Sequence, residues 1–124
     1  MRKKKVYQFE IPFEKTKLYD IPAIEKAKQI IETHPSEHFY ISTLAEKVGL
    51  NEFKLKLGFR ELFKTSPYQY LLQLRLEQAK ALLEDTDLTI NEIADSVGFK
   101  SYNGFSTTFK RLFKLSPTHY RKLA

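Results

Sequence analysis

From residue 20 to the C-terminus, apolar positions recur every three or four residues, the spacing of a helix that buries one face. Seven such stretches can be placed. The first begins at Asp20, an N-cap residue type, with Pro22 in its first turn and Ile24, Ala27 and Ile31 on one face; it stops before His34–Pro35. The second follows Ser42 as cap, carries Leu44, Ala45 and Val48, and ends at Gly49. The third runs from the cap Asn51 to about Phe63. The fourth opens with Ser66 as cap, Pro67 as first helical residue and Gln69 placed to close a capping box, and runs to about Glu84. The fifth starts on the capping box Thr89/Glu92 and ends at Gly98. The sixth runs from Ser101 to about Phe113, and a short seventh begins at Ser116–Pro117. Residues 1–19 differ: Val6, Phe9, Ile11 and Phe13 alternate loosely around Pro12, as in an extended arm or a short strand.

The helical series repeats. Leu44-Ala45-Glu46-Lys47-Val48-Gly49-Leu50 matches Ile93-Ala94-Asp95-Ser96-Val97-Gly98-Phe99 at an offset of 49. Phe59 to Pro67 matches Phe109 to Pro117 at an offset of 50, as does Tyr70 with Tyr120. One extra residue therefore lies in the turn or the following helix of the second copy. Each copy has a small residue (Ala45, Ala94) where a second helix can approach. A glycine follows (Gly49, Gly98), suited to a left-handed turn, then an apolar plug (Leu50, Phe99) and a polar cap (Asn51, Ser101). That is the grammar of a helix-turn-helix, present twice.

The fourth helix joins the copies. Gln69, Gln73, Glu77, Lys80 and Glu84 form one narrow polar stripe, and leucines and Ala79 occupy much of the rest, so both subdomains can pack against it. Arg75 falls in the apolar sector. A guanidinium there is expected to be buried and bonded to a carboxylate or to carbonyls at a helix end. About 18 residues span about 27 Å, comparable with the roughly 34 Å between adjacent major grooves on one face of DNA. The expected architecture is all-α, with seven helices forming two helix-turn-helix subdomains (20–65 and 86–124) joined by a central linker helix (66–85), behind an arm or linker at 1–19.

Composition narrows the function. Apolar residues make up 42% of the 124, and no run is long enough for a membrane span. With no cysteine, disulfides and thiolate metal sites are excluded. No export signal follows the basic start, which favours the cytoplasm. The net charge is +6, but residues 1–19 hold six basic and two acidic side chains, or +4, leaving +2 for the remainder. Within that remainder, residues 98–124 carry six basic side chains (Lys100, Lys110, Arg111, Lys114, Arg121, Lys122) and no acid. Charge alone fits either a footprint on phosphate or a solvated cationic surface. His34, His38 and His119 lack metal-ligand spacing, and no phosphate loop or nucleophile motif occurs, so no metal, cofactor or catalysis is expected.

Residues from about 21 to 122 resemble the DNA-binding domain of the AraC/XylS family of bacterial regulators. The resemblance rests on Leu44-Ala45, Gly49-Leu50, Phe59, Ser66-Pro67, Tyr70-Leu71, Arg75-Leu76, Ala79 and Leu82-Leu83. It rests more specifically on Ile93-Ala94, Gly98-Phe99, Ser101, Phe105-Ser106, Phe109-Lys110, Ser116-Pro117 and Tyr120-Arg121. Residues 49–63 are similar to members that sense siderophores and control iron uptake. The chain departs from the family pattern at Lys64 and Lys114, where glycine is usual. The resemblance implies double-stranded DNA as partner, RNA polymerase as a second, and an activator's role. The family's sensor domain is absent from these residues; the basic arm fits either a linker to one or the start of a single-domain regulator.

In the third helix Leu55, Phe59 and Leu62 are expected to face the core; in the sixth, Phe105, Phe109 and Leu112. The candidate base-facing residues are then Glu52, Phe53, Lys56 and Leu57 in the first reader and Tyr102, Asn103, Ser106 and Thr107 in the second. Asn103 can pair bidentately with adenine, Lys56 can donate to guanine, and Leu57 or Thr107 can touch a thymine methyl. Lys54, Arg60, Lys100, Lys110 and Arg111 are the candidate phosphate contacts. Phe53 could instead pack against the first helix. The alternative function is a helical protein-interaction module that has lost DNA binding; Glu52 and Glu61 are the acidic residues that would favour it.

Overall fold

The structure, a computed structural model, describes residues 15–124; the alternating segment around Val6 to Phe13 lies outside the described residues. Among the described residues a 3-10 turn, Leu18–Asp20, leads into seven helices: α1 (Ile21–Thr33), α2 (Ile41–Val48), α3 (Glu52–Phe63), α4 (Pro67–Asp85), α5 (Ile90–Ser96), α6 (Tyr102–Phe113) and α7 (Pro117–Leu123). Five helix starts follow local chemistry. The side chains of Asn51, Ser66, Thr89, Ser101 and Ser116 each accept from the backbone N–H three residues on, satisfying a donor that the first turn leaves open. At Thr89 the Glu92 carboxylate returns the bond, closing the capping box.

Two starts differ from expectation. Asp20 precedes α1 but has helical backbone angles (φ −89°, ψ −12°), so its side chain does not reach the first-turn amides; it is buried and lies 3.6 Å from the Lys54 ammonium. Ser42 is already inside α2, whose N-cap is Tyr40, with no side-chain cap.

Two cores lie along α4. Ile24, Ala27, Ile31, Leu44, Ala45, Leu55, Phe59 and Leu71 form the first. Leu76, Ala79, Leu83, Ile93, Ala94, Val97, Phe105 and Phe109 form the second. The two are superposable in kind. Lys28 sits over the rings of Phe63 and Tyr70 and pairs with Glu32, to which the Tyr70 hydroxyl also donates. Lys80 sits over Phe113 and Tyr120, and the Tyr120 hydroxyl donates to Glu84. The C-terminal half of α4 thus repeats α1: Ile24, Ala27, Ile31, Lys28 and Glu32 correspond to Leu76, Ala79, Leu83, Lys80 and Glu84. The N-terminal half of α4 repeats α7. The fold is two four-helix units that share α4.

The extra residue of the second copy sits in the turn. α3 and α6 are equally long, whereas Gly49 is two residues from its cap Asn51 and Gly98 three from Ser101, the insertion being Lys100. Both glycines are left-handed, for different reasons. At Gly49 (φ 76°) a Cβ would meet open space, so only the backbone angle requires glycine. At Gly98 (φ 103°) a Cβ would come within 2.9 Å of the Ser36 carbonyl oxygen and 3.0 Å of the Arg75 guanidinium. Gly58 is buried inside α3, where a Cβ would fall 2.0 Å from Ile24 Cδ1; it lets α1 close onto α3. Lys64 (φ 63°) and Lys114 (φ 67°) are the left-handed C-caps of α3 and α6, a conformation in which glycine carries no Cβ strain.

Gly98→Ala should therefore destabilise by about 2–4 kcal/mol, combining backbone strain with overpacking, and Gly49→Ala by about 1–2 kcal/mol from strain alone; denaturant titration measures both. The tyrosine contacts set a second expectation. The hydrogen bond to Glu84 pushes the Tyr120 phenol up to about 12, and burial with the bond to Glu32 raises Tyr70 above its ordinary 10.0. A folded pKa above the unfolded one contributes stability that is complete below pH 10 and lost as pH rises through the folded value. Spectrophotometric titration should find a phenol phase near 12, which Tyr120→Phe should remove.

Candidate nucleic-acid interface

At an offset of 50, each residue of α3 has a counterpart in α6, and the two caps set both helices at the same register. Leu55 and Phe59, like Phe105 and Phe109, are fully buried and hold the helices down. The opposite stripe pairs Phe53 with Asn103, Lys56 with Ser106, Leu57 with Thr107 and Arg60 with Lys110. All are exposed except Leu57 and Ser106, which are half-buried. Phe53 is 71% exposed, so it does not pack against α1. Glu52 and Tyr102 are exposed at the helix starts; Glu52 lies 4.0 Å from Lys56 across one helical turn.

Several residues lie elsewhere than expected. Leu62, half-buried, packs against the first core as expected, whereas Leu112 is 42% exposed and does not complete the stripe of α6. Leu112 borders a hollow of about 200 Å³ between α6 and α4, which α4 lines with Gln69 and Gln73 as well as Leu72 and Leu76. Lys54 is turned to the 3-10 turn ahead of α1, beside Asp20 and 5.8 Å from the Tyr19 ring centre. The Glu61 carboxylate accepts from the backbone N–H of Lys15 (3.0 Å) and Thr16 (2.7 Å) and from the Thr16 hydroxyl, anchoring the chain ahead of α1 onto α3. Arg121 leaves the basic footprint: its guanidinium donates to the carbonyls of Leu83 (3.2 Å), Thr86 (3.1 Å) and Leu88 (2.6 Å), tying α7 to the α4–α5 connection. Lys100, Lys110 and Arg111 remain exposed on the second unit. Among the described residues no cluster of His, Asp or Glu could hold a metal, and no helix is long and apolar enough to cross a membrane.

The two readers are set against each other by Arg75. Its side chain is 7% exposed at the crossing of the two cores. Nε donates to the Pro35 carbonyl (2.6 Å) and Nη2 to that of Glu37 (2.8 Å), both between α1 and α2; Nη1 donates to the Gly98 carbonyl (3.1 Å) in the turn ahead of α6. Burial lowers its pKa, against an opposing influence from the Tyr68 phenol, and guanidinium stays protonated in any case. A charge bonded at once to both units fixes the angle between α3 and α6.

Comparison with known proteins agrees with this geometry. A family profile described as "Helix-turn-helix domain" matches residues 44–123. The HTH-type transcriptional regulator AlkR of Acinetobacter baylyi is 35% identical over 101 residues, 82% of this chain and 33% of AlkR; the chain spans about a third of the curated relatives it matches first. Among solved structures, the C-terminal domain of the two-component response regulator yesN from Fusobacterium nucleatum is 40% identical, with a TM-score of 0.74 over 81% of this chain and 98% of that one. The DNA-binding domain of AdpA, solved in complex with a target DNA, is 30% identical, with a TM-score of 0.77 over 82% of this chain and 91% of that one. Each of these supports a DNA-reading role for the paired helices.

Arg75→Ala should lower the unfolding free energy by about 3 kcal/mol or more, since three carbonyls lose a charged donor. Arg75→Lys should restore only part of this, because one ammonium cannot fork to three acceptors. Denaturant melts of both variants measure the difference.

Proposed function

Since the chain belongs to the AraC-type helix-turn-helix family of DNA-binding domains from transcription regulators, we propose that it reads a non-palindromic duplex site as a monomer, with α3 and α6 in adjacent major grooves. Its function is sequence-specific DNA binding for transcription regulation, and both family and fold point away from an enzyme. The observation that carries the monomeric reading is that two recognition helices, in head-to-tail order, are held on one frame by Arg75. No second subunit is needed to span two grooves. α4, 19 residues long, supports a separation of about 28 Å, close to the groove repeat of about 34 Å.

The outward stripes supply the chemistry. Asn103 suits adenine, Lys56 guanine, and Leu57, Phe53 and Thr107 thymine methyls, with Glu52, Tyr102 and Ser106 bordering the same base edges. Arg60, Lys100, Lys110 and Arg111 suit phosphates. Lys54 is a weaker phosphate contact, because Asp20 already lies beside it. We infer RNA polymerase, in the cytoplasm, as the second partner and activation as the outcome. Residues 49–63, similar to siderophore-sensing members, favour an iron-uptake target.

Selection from a random duplex pool should yield an asymmetric site bound by one chain. On that site Asn103→Ala, Thr107→Ala and Lys56→Ala should each cost about 1–3 kcal/mol and relax preference at one or two base pairs. Lys110→Ala should weaken all sequences alike and lower the salt slope by about one. Unchanged affinity and preference in all three base-facing variants, with the fold intact, would overturn the assignment and leave a surface used for protein contacts.

A further inference from the structure

Two concavities open between the readers, and both are bordered by the same aromatic side chains. One, of about 610 Å³, runs along the outward face of α3, where Phe53, Lys56, Leu57 and Arg60 face Tyr40 and Tyr68. The other, of about 820 Å³, lies between the units. There Tyr40 and Tyr68 face Lys100, Ser101 and Gly104 at the start of α6, with Arg75 among the lining residues. Tyr40 and Tyr68 therefore stand on a ridge between the outward face of α3 and the start of α6. Each tyrosine has an aromatic neighbour: Phe39 stacks obliquely on Tyr68 with ring centres 6.0 Å apart, and His38 on Tyr40 at 5.1 Å. Yet the two tyrosines are 58% and 50% exposed, and neither hydroxyl makes a hydrogen bond with the described residues.

We propose that Tyr40 and Tyr68 are a third contact to the duplex, on the sugar–phosphate backbone of the segment between the two major-groove tracts. The inference rests on the DNA-reading function above and adds residues which that reading does not use. Three features point to backbone rather than base edges or a small ligand. The ridge borders the outward face of α3 on one side and the N-terminal end of α6 on the other, the end of a recognition helix that lies nearest the duplex. Its surroundings are cationic, with Lys56, Arg60 and Lys100 at the rims and Arg75 in the lining, against Asp95 as the one acid. A phenol offers one donor for a phosphate oxygen and an apolar ring face for deoxyribose, and no bidentate pattern that could distinguish base pairs.

The test uses the whole chain and its selected duplex, with Tyr40→Phe, Tyr68→Phe and the double variant. Each keeps its ring and so its stacking, and thermal melts should superpose on wild type. Each single change should lower affinity by about 3- to 10-fold, the loss expected for one hydrogen bond. The loss should be the same on every sequence, without change in base preference or in salt slope, because no charge is removed. Lys100→Ala, by contrast, should reduce the slope. Neutral methylphosphonate links in the central segment should weaken wild type more than the double variant. Affinities of both single variants within about twofold of wild type, or equal methylphosphonate penalties in wild type and double variant, would overturn the third contact while leaving the two readers in place. A wild-type chain with no sequence preference would instead overturn the DNA reading itself, and the ridge with it.

Discussion

A buried guanidinium must find acceptors or leave the interior, and Arg75 finds three backbone carbonyls that belong to neither its own helix nor a single neighbour. Pro35 and Glu37 precede the first reader, and Gly98 precedes the second. A carboxylate partner would have neutralised the charge locally. Carbonyls instead make it a bracket that is satisfied only when both units stand at one mutual angle. Gly98 belongs to the same constraint: its missing Cβ leaves the space through which the guanidinium passes. Phe99, whose ring centre lies 6.0 Å from that guanidinium, covers it from the turn.

The recognition surfaces follow from that frame. α3 and α6 share length, cap geometry and core anchors, so their outward stripes present equivalent positions in equivalent places. What differs is chemistry: Phe53, Lys56 and Leu57 are apolar and cationic, whereas Asn103, Ser106 and Thr107 are small and polar. The outward residues and the packing residues of each helix are separate sets, so one can vary without disturbing the other. The inserted Lys100 breaks the likeness, giving the second turn a cation where the first has none.

What the sequence made legible is what local chemistry controls. Caps at Asn51, Ser66, Thr89, Ser101 and Ser116 depend on contacts three residues away, and they stand where residue type places them. Asp20 and Ser42 have the right chemistry but the wrong backbone, and residue type alone does not reveal φ and ψ. The wheel position of Arg75 pointed to burial, but its partners lie 40, 38 and 23 residues away in the chain. Gly58 looks like a weak point in a helix until α1 is seen lying on it. The likeness of α1 to α4 escaped notice because it runs at an offset of 52, not 49 or 50, and substitutes leucine for isoleucine. The Tyr40–Tyr68 ridge was invisible because Tyr40 stands ahead of α2 and Tyr68 in α4, far apart in the chain.

Sharing α4 has a consequence for how such a chain can grow or be divided. Leu71 and Tyr70 belong to the first core and its aromatic edge, and Leu76, Ala79 and Leu83 to the second. Neither half is a complete inheritance: a cut through the linker orphans one core whichever side keeps the helix. Enlargement obeys the same arithmetic. A third reader would not need a further four-helix unit, since α7 already plays the part that the N-terminal half of α4 plays. Lengthening α7 into a second shared helix and adding three more would continue the series. The described helices form two turns of an array whose period is three helices.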